Sequence, residues 1–481
     1  MANWQASAAR GIIRRIVVTG TLVLDTPASF STGETDGTEL IILQDALEGL
    51  PLLPGASLAG ALRSYLLSRE LGYRAANTDT TLTTALFGKA LDDGTERMQS
   101  RLMVQDALGQ GTGTLTRREG VKIAGDTRTA DDGMLFSTQV WEAGTTFDLC
   151  FELVLYDGYP EALLVACAAA LNALGSGEIT LGGRKQRGYG RVRVDNWQVS
   201  DYDLRQPDAL MAWLQGQPHS VNPHSFLTVG DALGDARTYV HITATLQLCE
   251  SLLIRAASDI AESEHLSSNG QPVLSGTSLT GALRARCLKI ANLVNPAHAE
   301  WLVNDLFGKH GANNPDGTNG NSDTLSASRV RISEQPISGG RMDYIQNRVK
   351  IDRFTGGAFE TALFDERPLF ADDNTTVQLD WLIRYPADQH DHERLNAQVG
   401  LLLLALKDLW TEDLPLGGEA SVGRGRWRGQ RGTLTVKQDA EAKPIIINLT
   451  DTGLSDVTQR ETLERFVQTL LNYNKPTEAA S

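Results

Sequence analysis

Pro51-Leu-Leu-Pro-Gly-Ala-Ser-Leu-Ala-Gly-Ala-Leu-Arg63 returns, 221 residues later, as Pro272-Val-Leu-Ser-Gly-Thr-Ser-Leu-Thr-Gly-Ala-Leu-Arg284. Three further landmarks recur in the same order. Leu86-Phe-Gly-Lys89 matches Leu306-Phe-Gly-Lys309, and Val121-Lys-Ile123 matches Val349-Lys-Ile351. Leu181-Gly-Gly-Arg-Lys-Gln-Arg-Gly-Tyr-Gly-Arg191 matches Leu416-Gly-Gly-Glu-Ala-Ser-Val-Gly-Arg-Gly-Arg426. The offsets run 221, 220, 228 and 235, so only loop lengths differ. One short match could be chance; an ordered series of four is the mark of a duplicated unit.

Around these landmarks the pattern alternates between strand and helix periods. Ile16–Leu24 and Val240–Leu248 alternate apolar and polar residues and read as strands, as do Thr145–Tyr156 and Thr376–Arg384. Helices are expected to start near Ser57 and Ser278, with those serines as N-caps, and over Glu161–Leu174 and Leu395–Leu409. The order β, α, β, β, α, β in each half predicts an α+β chain of two tandem ferredoxin-like units. The expected divisions are 1–200 and 237–432 for the units and 201–236 for a linker with one short helix at Ala209–Leu214. The remaining 433–481 reads as a tail with a docking helix at Asp456–Tyr473. The Asn/Asp/Gly-rich stretch Gly311–Thr324 reads as a loop.

With 481 residues, 41% hydrophobic and 21% charged, the composition is globular and excludes a largely disordered chain. Cys150, Cys167, Cys249 and Cys287 form no C-x-x-C pair and read as reduced, buried thiols. The start of the chain lacks a signal-peptide pattern, and the apolar run around Val399–Leu406 is too short to span a bilayer, so a cytoplasmic protein without a membrane partner is expected. A net charge of −15 excludes a protein that coats nucleic acid with its whole surface but leaves room for a local basic groove.

The glycine-rich landmarks are where such a groove would lie. Arg184, Lys185, Arg187, Arg191 and Arg193 bracket Tyr189; Arg424, Arg426, Arg428 and Arg431 bracket Trp427. Glycines let a backbone approach a polyanion, arginine binds phosphate in bidentate fashion, and an aromatic ring can stack on a base. The bland alternative is a glycine turn with solvated arginines. The Pro/Gly turn with its helix start places Ser57 and Arg63, or Ser278 and Arg284, near phosphates, or else only packs on the sheet. It lacks the G-K-[S/T] ending of a phosphate loop, so no nucleotide cofactor is expected. Lys122 and Arg128, and Lys350 and Arg353, fall on protruding hairpins. The acidic pairs Asp36/Glu39 and Asp259/Glu262 precede the turns. They are candidates for 2′-hydroxyl activation or for holding a metal; the alternative is solvated loop acids. His241 and His265 read as structural.

Taken together, the turn-and-helix motifs, the hairpin starts and the glycine-rich segments resemble the RAMP superfamily, the repeat-associated proteins of CRISPR systems, over about residues 12–196 and 238–430. The fused pair most resembles the double-module backbone subunit of type III-D effector complexes. That resemblance implies a modified RRM-like core in each half, whose palm binds the guide (crRNA) backbone and whose thumb hairpin wedges into the guide–target RNA duplex. It also implies other effector subunits as partners. In active members a loop aspartate before the turn cleaves target RNA with a divalent metal, expected to be Mg2+. The matching positions here are Glu39 and Glu262. Glutamate could keep the chemistry, Asp36 or Asp259 could substitute as base or metal ligand, or a half could be a non-catalytic scaffold.

Overall fold

The computed structural model describes residues 11–36, 39–76, 78, 80–89, 98–123, 130–258, 260–309, 326–387, 391–451 and 457–474. Its α+β architecture is built on two antiparallel sheets. The first has a central strand, Ile12–Leu24, between Thr146–Tyr156 and Val192–Asp203, with Leu102–Val104 and Ser220–Val221 at its edges. The second has Thr238–Leu248 between Thr376–Tyr385 and Trp427–Lys437, and Val330–Ile332 pairs with Thr376–Tyr385.

Period-2 alternation explains why these strands are half-buried. Ile16, Val18 and Leu22 point into the first core, and Val240, Ile242 and Leu246 into the second. Helix α1 (Gly55–Leu71) buries Leu58, Leu62 and Leu66 on one stripe. After α2 (Leu82–Phe87), α3 (Ala162–Gly175) is apolar almost all round because it is covered on both sides. The sheet lies on one side. On the other lie α5 (Pro223–Thr228) and the 3-10 turn Val229–Ala232, which follow α4 (Pro207–Leu214). A Cβ on Gly230 would sit 2.3 Å from the Ala169 nitrogen, so only glycine permits this approach.

The second half repeats the layer. Helix α6 (Gly276–Val294) buries Leu279, Leu283 and Cys287, and α7 (Ala299–Phe307) follows. Helix α8 (His392–Trp410) is covered by α9 (Val457–Asn472), with Gly400 against the Phe466 carbonyl. The stretch 201–236, expected to be a linker, is therefore folded onto the first half. It carries apolar Leu227 and Ala209, which need burial, and α5 answers to α9. Strands also run across the expected divisions at 200 and 432, and Ile445–Thr450 adds to the second sheet. The loop expected at Gly311–Thr324 lies outside the described residues.

The chain enters both helices earlier than expected. The N-cap positions are Pro54 and Ser275, with φ/ψ of −62/137 and −63/129, and neither makes a side-chain cap bond. Ser57 and Ser278 sit inside the first turn instead. Each half also carries a long hairpin: Leu115–Ile123 with Ala130–Trp141, and Gln346–Ile351 with Ala358–Arg367.

Candidate nucleic-acid interface

The two glycine-rich segments fold alike to within a few degrees. Gly182 and Gly417 have φ of 81° and 80°, Arg184 and Glu419 53° and 59°, Gly188 and Gly423 98° and 97°, Gly190 and Gly425 75° and 78°. The same hydrogen bonds hold them. The Gly183 N–H donates to the Ser29 carbonyl at 2.9 Å and the Gly418 N–H to Leu253 at 2.8 Å; Leu181 N–H donates to Gly190 at 2.8 Å and Leu416 N–H to Gly425 at 2.9 Å. A Cβ on Gly190 or Gly425 would lie 1.8 or 1.9 Å from a carbonyl oxygen. Glycine here is dictated by the turn itself, not by a ligand.

Side chains separate the two loops. In the first, Arg184 and Lys185 are exposed, with the Arg184 guanidinium 4.7 Å from the Phe136 ring on the long hairpin. Arg187 is half-buried. Tyr189 is only 7% exposed, and its hydroxyl bonds Thr277 of the second half, so its ring is not presented for base stacking. Arg191 reaches Asp380 of the second half at 3.3 Å, and Arg193 pairs with Asp25. In the second loop Arg424 is 2% exposed and held by Glu419 at 2.8 Å and Glu366 at 3.4 Å. Burial lowers its pKa, and the two carboxylates oppose that shift. Trp427 is fully buried, which removes it as a stacking platform. Arg428 pairs with Glu412. Arg426 and Arg431 are exposed and have no partner among the described residues.

At the helix starts the halves differ again. Arg63, with no partner among the described residues, borders a groove of about 380 Å³ floored by Gly55, Ala59, Phe87 and Leu102. Arg284 is occupied: it donates to the Gly308 carbonyl at 2.7 Å and to Asn304 Oδ1 at 2.6 Å. Burial, and then Arg187 nearby, lower its pKa. On the second hairpin Lys350 lies 4.6 Å from the Phe359 ring, Arg353 is exposed, and Phe354 and Leu363 are bare beside them. The Lys122 side chain and Arg128 lie outside the described residues. The open face of the second sheet forms a cavity of about 600 Å³ rimmed by Arg191 and Arg431, with Thr243, Thr245 and Asn448 between.

The acidic candidates are less gathered. Asp36 and Glu39 are register partners at the end of the short hairpin Ser31–Asp36/Glu39–Ile42, and their side chains are outside the described part. Asp259 is outside it as well. Glu262 is exposed, and its own N–H donates to Asp365 at 3.0 Å. No group of three His, Cys, Asp or Glu among the described residues could hold a metal ion. His265 is buried with a pKa lowered to about 4, and His241 bonds Asp380 at 2.9 Å; neither is placed as a free base.

Sequence reasoning missed the buried polar cluster between the halves. Arg118 pairs with Glu142 at 3.0 Å, Ser268 donates to Glu142 at 2.5 Å, and Glu334, 4% exposed, lies beside them. These residues lie far apart in sequence, so no local spacing could have signalled them. Among the described residues, no helix is long and apolar enough to cross a membrane.

Over 104 residues the chain is 36% identical to the CRISPR system Cms endoribonuclease Csm3 of Mycobacterium tuberculosis (strain ATCC 25618 / H37Rv). That stretch takes in 19% of this chain and 41% of that protein, so the chain spans less than half the length of the relative it matches. The family model of the RAMP superfamily matches residues 21–193 and again 238–428, together well over half the chain. With the landmarks and the repeated loop geometry falling on those two segments, the chain belongs to the RAMP superfamily.

Proposed function

We propose that this chain is an RNA-binding subunit of a type III CRISPR ribonucleoprotein, made of two tandem RAMP modules that hold the guide (crRNA) backbone and its duplex with target RNA. The observation that carries the reading is the recurrence of one glycine-loop conformation in both matched segments, each with exposed cations beside it: Arg184 and Lys185 in the first, Arg426 and Arg431 in the second. In a chain of net charge −15, cations without an ion pair are the ones left for phosphate. The long hairpins act as thumbs. Their bare Phe354 and Leu363 beside Lys350 and Arg353 suit insertion between stacked bases. Because contacts of this kind go to backbone and shape, sequence is read by guide pairing. The partners are crRNA, target RNA and other effector subunits.

Cleavage of target RNA is the second part of the reading, assigned to Asp36/Glu39 and Asp259/Glu262. The alternative is a scaffold of the same complex without cleavage. Two measurements decide. RNA that co-purifies with the protein should have uniform length and defined ends; random RNA, or none, removes the guide-binding reading. The purified complex should then cut a matching RNA at regular intervals. If cuts persist in both Asp36→Ala/Glu39→Ala and Asp259→Ala/Glu262→Ala, these carboxylates leave the mechanism. If the wild type makes none, the scaffold reading stands.

A further inference from the structure

The end of α1 and the open face of the second sheet close on each other where the halves meet. The Ala387 N–H donates to the Tyr73 carbonyl at 2.8 Å, and the 3-10 turn Lys185–Arg187 packs on strand Val330–Ile332. The sheet is the floor between these walls. On it Arg331 stands opposite Leu382, so Arg384, two residues farther along that strand, lies diagonally across from Arg331 on the same face. The Arg384 guanidinium sits 5.8 Å from the Tyr73 ring. Arg74 follows Tyr73 with φ of 63°, in the left-handed region that a residue with a Cβ enters only at a cost.

These cations face one another rather than acids. Asp380 is taken by Arg191 at 3.3 Å and His241 at 2.9 Å, and Glu178 by Arg237 at 3.0 Å. Arg331 has only a neutral acceptor, the Glu178 carbonyl at 3.0 Å. The side chains of Arg74, Lys185 and Arg384 make no hydrogen bond or ion pair with a described residue. Burial lowers the Arg384 pKa; Tyr73 opposes the fall, and Arg331 and Arg74 add to it. Crowding by protein, and then by Arg384, lowers that of Lys185. Partly desolvated like charges lie side by side at a cost that an anion among them removes. In a chain of net charge −15, a crevice lined by cations runs against the average.

We infer that this crevice between the halves binds a phosphate group, gripped by the Arg331 and Arg384 guanidiniums, with Arg74 and Lys185 beside it and the Tyr73 hydroxyl as a neutral donor. Guanidinium forks on adjacent strands suit the oxygens of a phosphate. The group is a free phosphate ion or a phosphodiester of RNA, since both present the same oxygens. Bound there, it ties α1 of the first half to the sheet of the second and stabilises the folded chain by linkage. The inference goes beyond the guide-binding reading, because a free ion tests it without RNA.

The test melts the full-length protein, freed of RNA, in chloride buffer with inorganic phosphate added over about 0.1–10 mM at constant ionic strength. The wild type should gain a saturable rise in melting temperature, and the apparent affinity should fall about tenfold in Arg384→Gln and in Arg331→Gln. An equal fall in melting temperature with and without phosphate would make the arginines structural and overturn the site. Arg74→Ala, at an exposed side chain, keeps the test open should those variants fail to fold; it should weaken the response about threefold. A single-stranded oligoribonucleotide forms the second arm. If RNA and not the free ion stabilises the wild type, and Arg384→Gln lowers the slope of log K against log salt by about one, the source is RNA backbone and the site stands. No response to phosphate, together with unchanged RNA affinity and slope in Arg384→Gln and Arg74→Ala, overturns it. A retained phosphate response in a protein that carries no guide RNA would remove the guide-binding reading alone.

Discussion

Loop 181–191 and loop 416–426 have one backbone and two chemistries. Every φ that demands glycine is shared, yet the first loop lends Tyr189 and Arg191 to its neighbour, whereas the second turns Arg424 inward onto Glu366 and Glu419. Duplication preserved what the backbone could not change, and divergence acted on what each loop faces. A glycine-and-arginine pattern therefore does not by itself locate an RNA contact. The arginine position that both loops share is exposed at Arg426 and paired with Asp380 at Arg191, and the buried counter-ion Arg424 stands where the first loop has Tyr189.

The largest expected effect comes from breaking that contrast at one position. Arg424→Ala takes one counter-ion from Glu366 and Glu419, leaving Arg348 and Arg255 beside them, and should cost about 3 kcal/mol in denaturant unfolding. Its counterpart Tyr189→Phe loses one neutral hydrogen bond to Thr277, about 1 kcal/mol. Equal losses in the two variants would mean that the loops are not chemically different.

Gly188 and Gly423 give a second contrast. Both have positive φ, so alanine at either carries about 1 kcal/mol of backbone strain. At Gly188 the added Cβ would also meet the Glu334 nitrogen at 2.4 Å, whereas at Gly423 the nearest atom is a side-chain oxygen at 3.6 Å. Gly188→Ala should therefore destabilise by about 3 kcal/mol in all, and Gly423→Ala by the strain alone. Equal unfolding midpoints for the two would show that the joint is looser than these distances.

Glu334 tests the joint by pH. Burial pushes its carboxyl up to about 7, with Glu142 adding to the rise and Arg118 opposing it. The folded state then holds a proton that the unfolded state has released above about pH 4.5, the ordinary value. Its contribution is full below that pH and is lost as pH rises through about 7. Melting temperature should fall across this window, and Glu334→Gln should flatten the slope. A slope unchanged in Glu334→Gln would assign the effect to other groups.

Much of this fold was legible because it rests on local periodicity: the strands around Ile16 and Val240 and the stripe of Leu58, Leu62 and Leu66 need no distant information. The apolar face of α5 was legible too, but Leu227 lies in a Pro- and His-rich stretch whose composition reads as linker. Pattern could not show that α3 needed a second cover. The site was less legible than the fold. Arginines that reach phosphate and arginines that neutralise Glu366 have the same sequence signature, and only the position of acids from elsewhere in the chain tells them apart. The glutamate at position 419, where the first loop has Arg184, was the one local sign of that difference.

The smallest effect in stability is the most informative about RNA. Arg63 and Arg284 close the same motif, but Arg284 bonds the Gly308 carbonyl and Asn304, whereas Arg63 borders an open groove without a partner among the described residues. Arg284→Ala should lower stability by about 1–3 kcal/mol, since a buried carbonyl loses a charged donor. Arg63→Ala should leave the melting temperature within the scatter of surface variants. If the groove meets RNA phosphate, Arg63→Ala should weaken RNA binding about equally for all sequences and reduce the slope of log K against log salt by about one. If the groove does not meet phosphate, the salt slope should not move. A drop in stability for Arg63→Ala equal to that for Arg284→Ala would show that the groove is closed in solution and that the two halves are alike where they differ in structure.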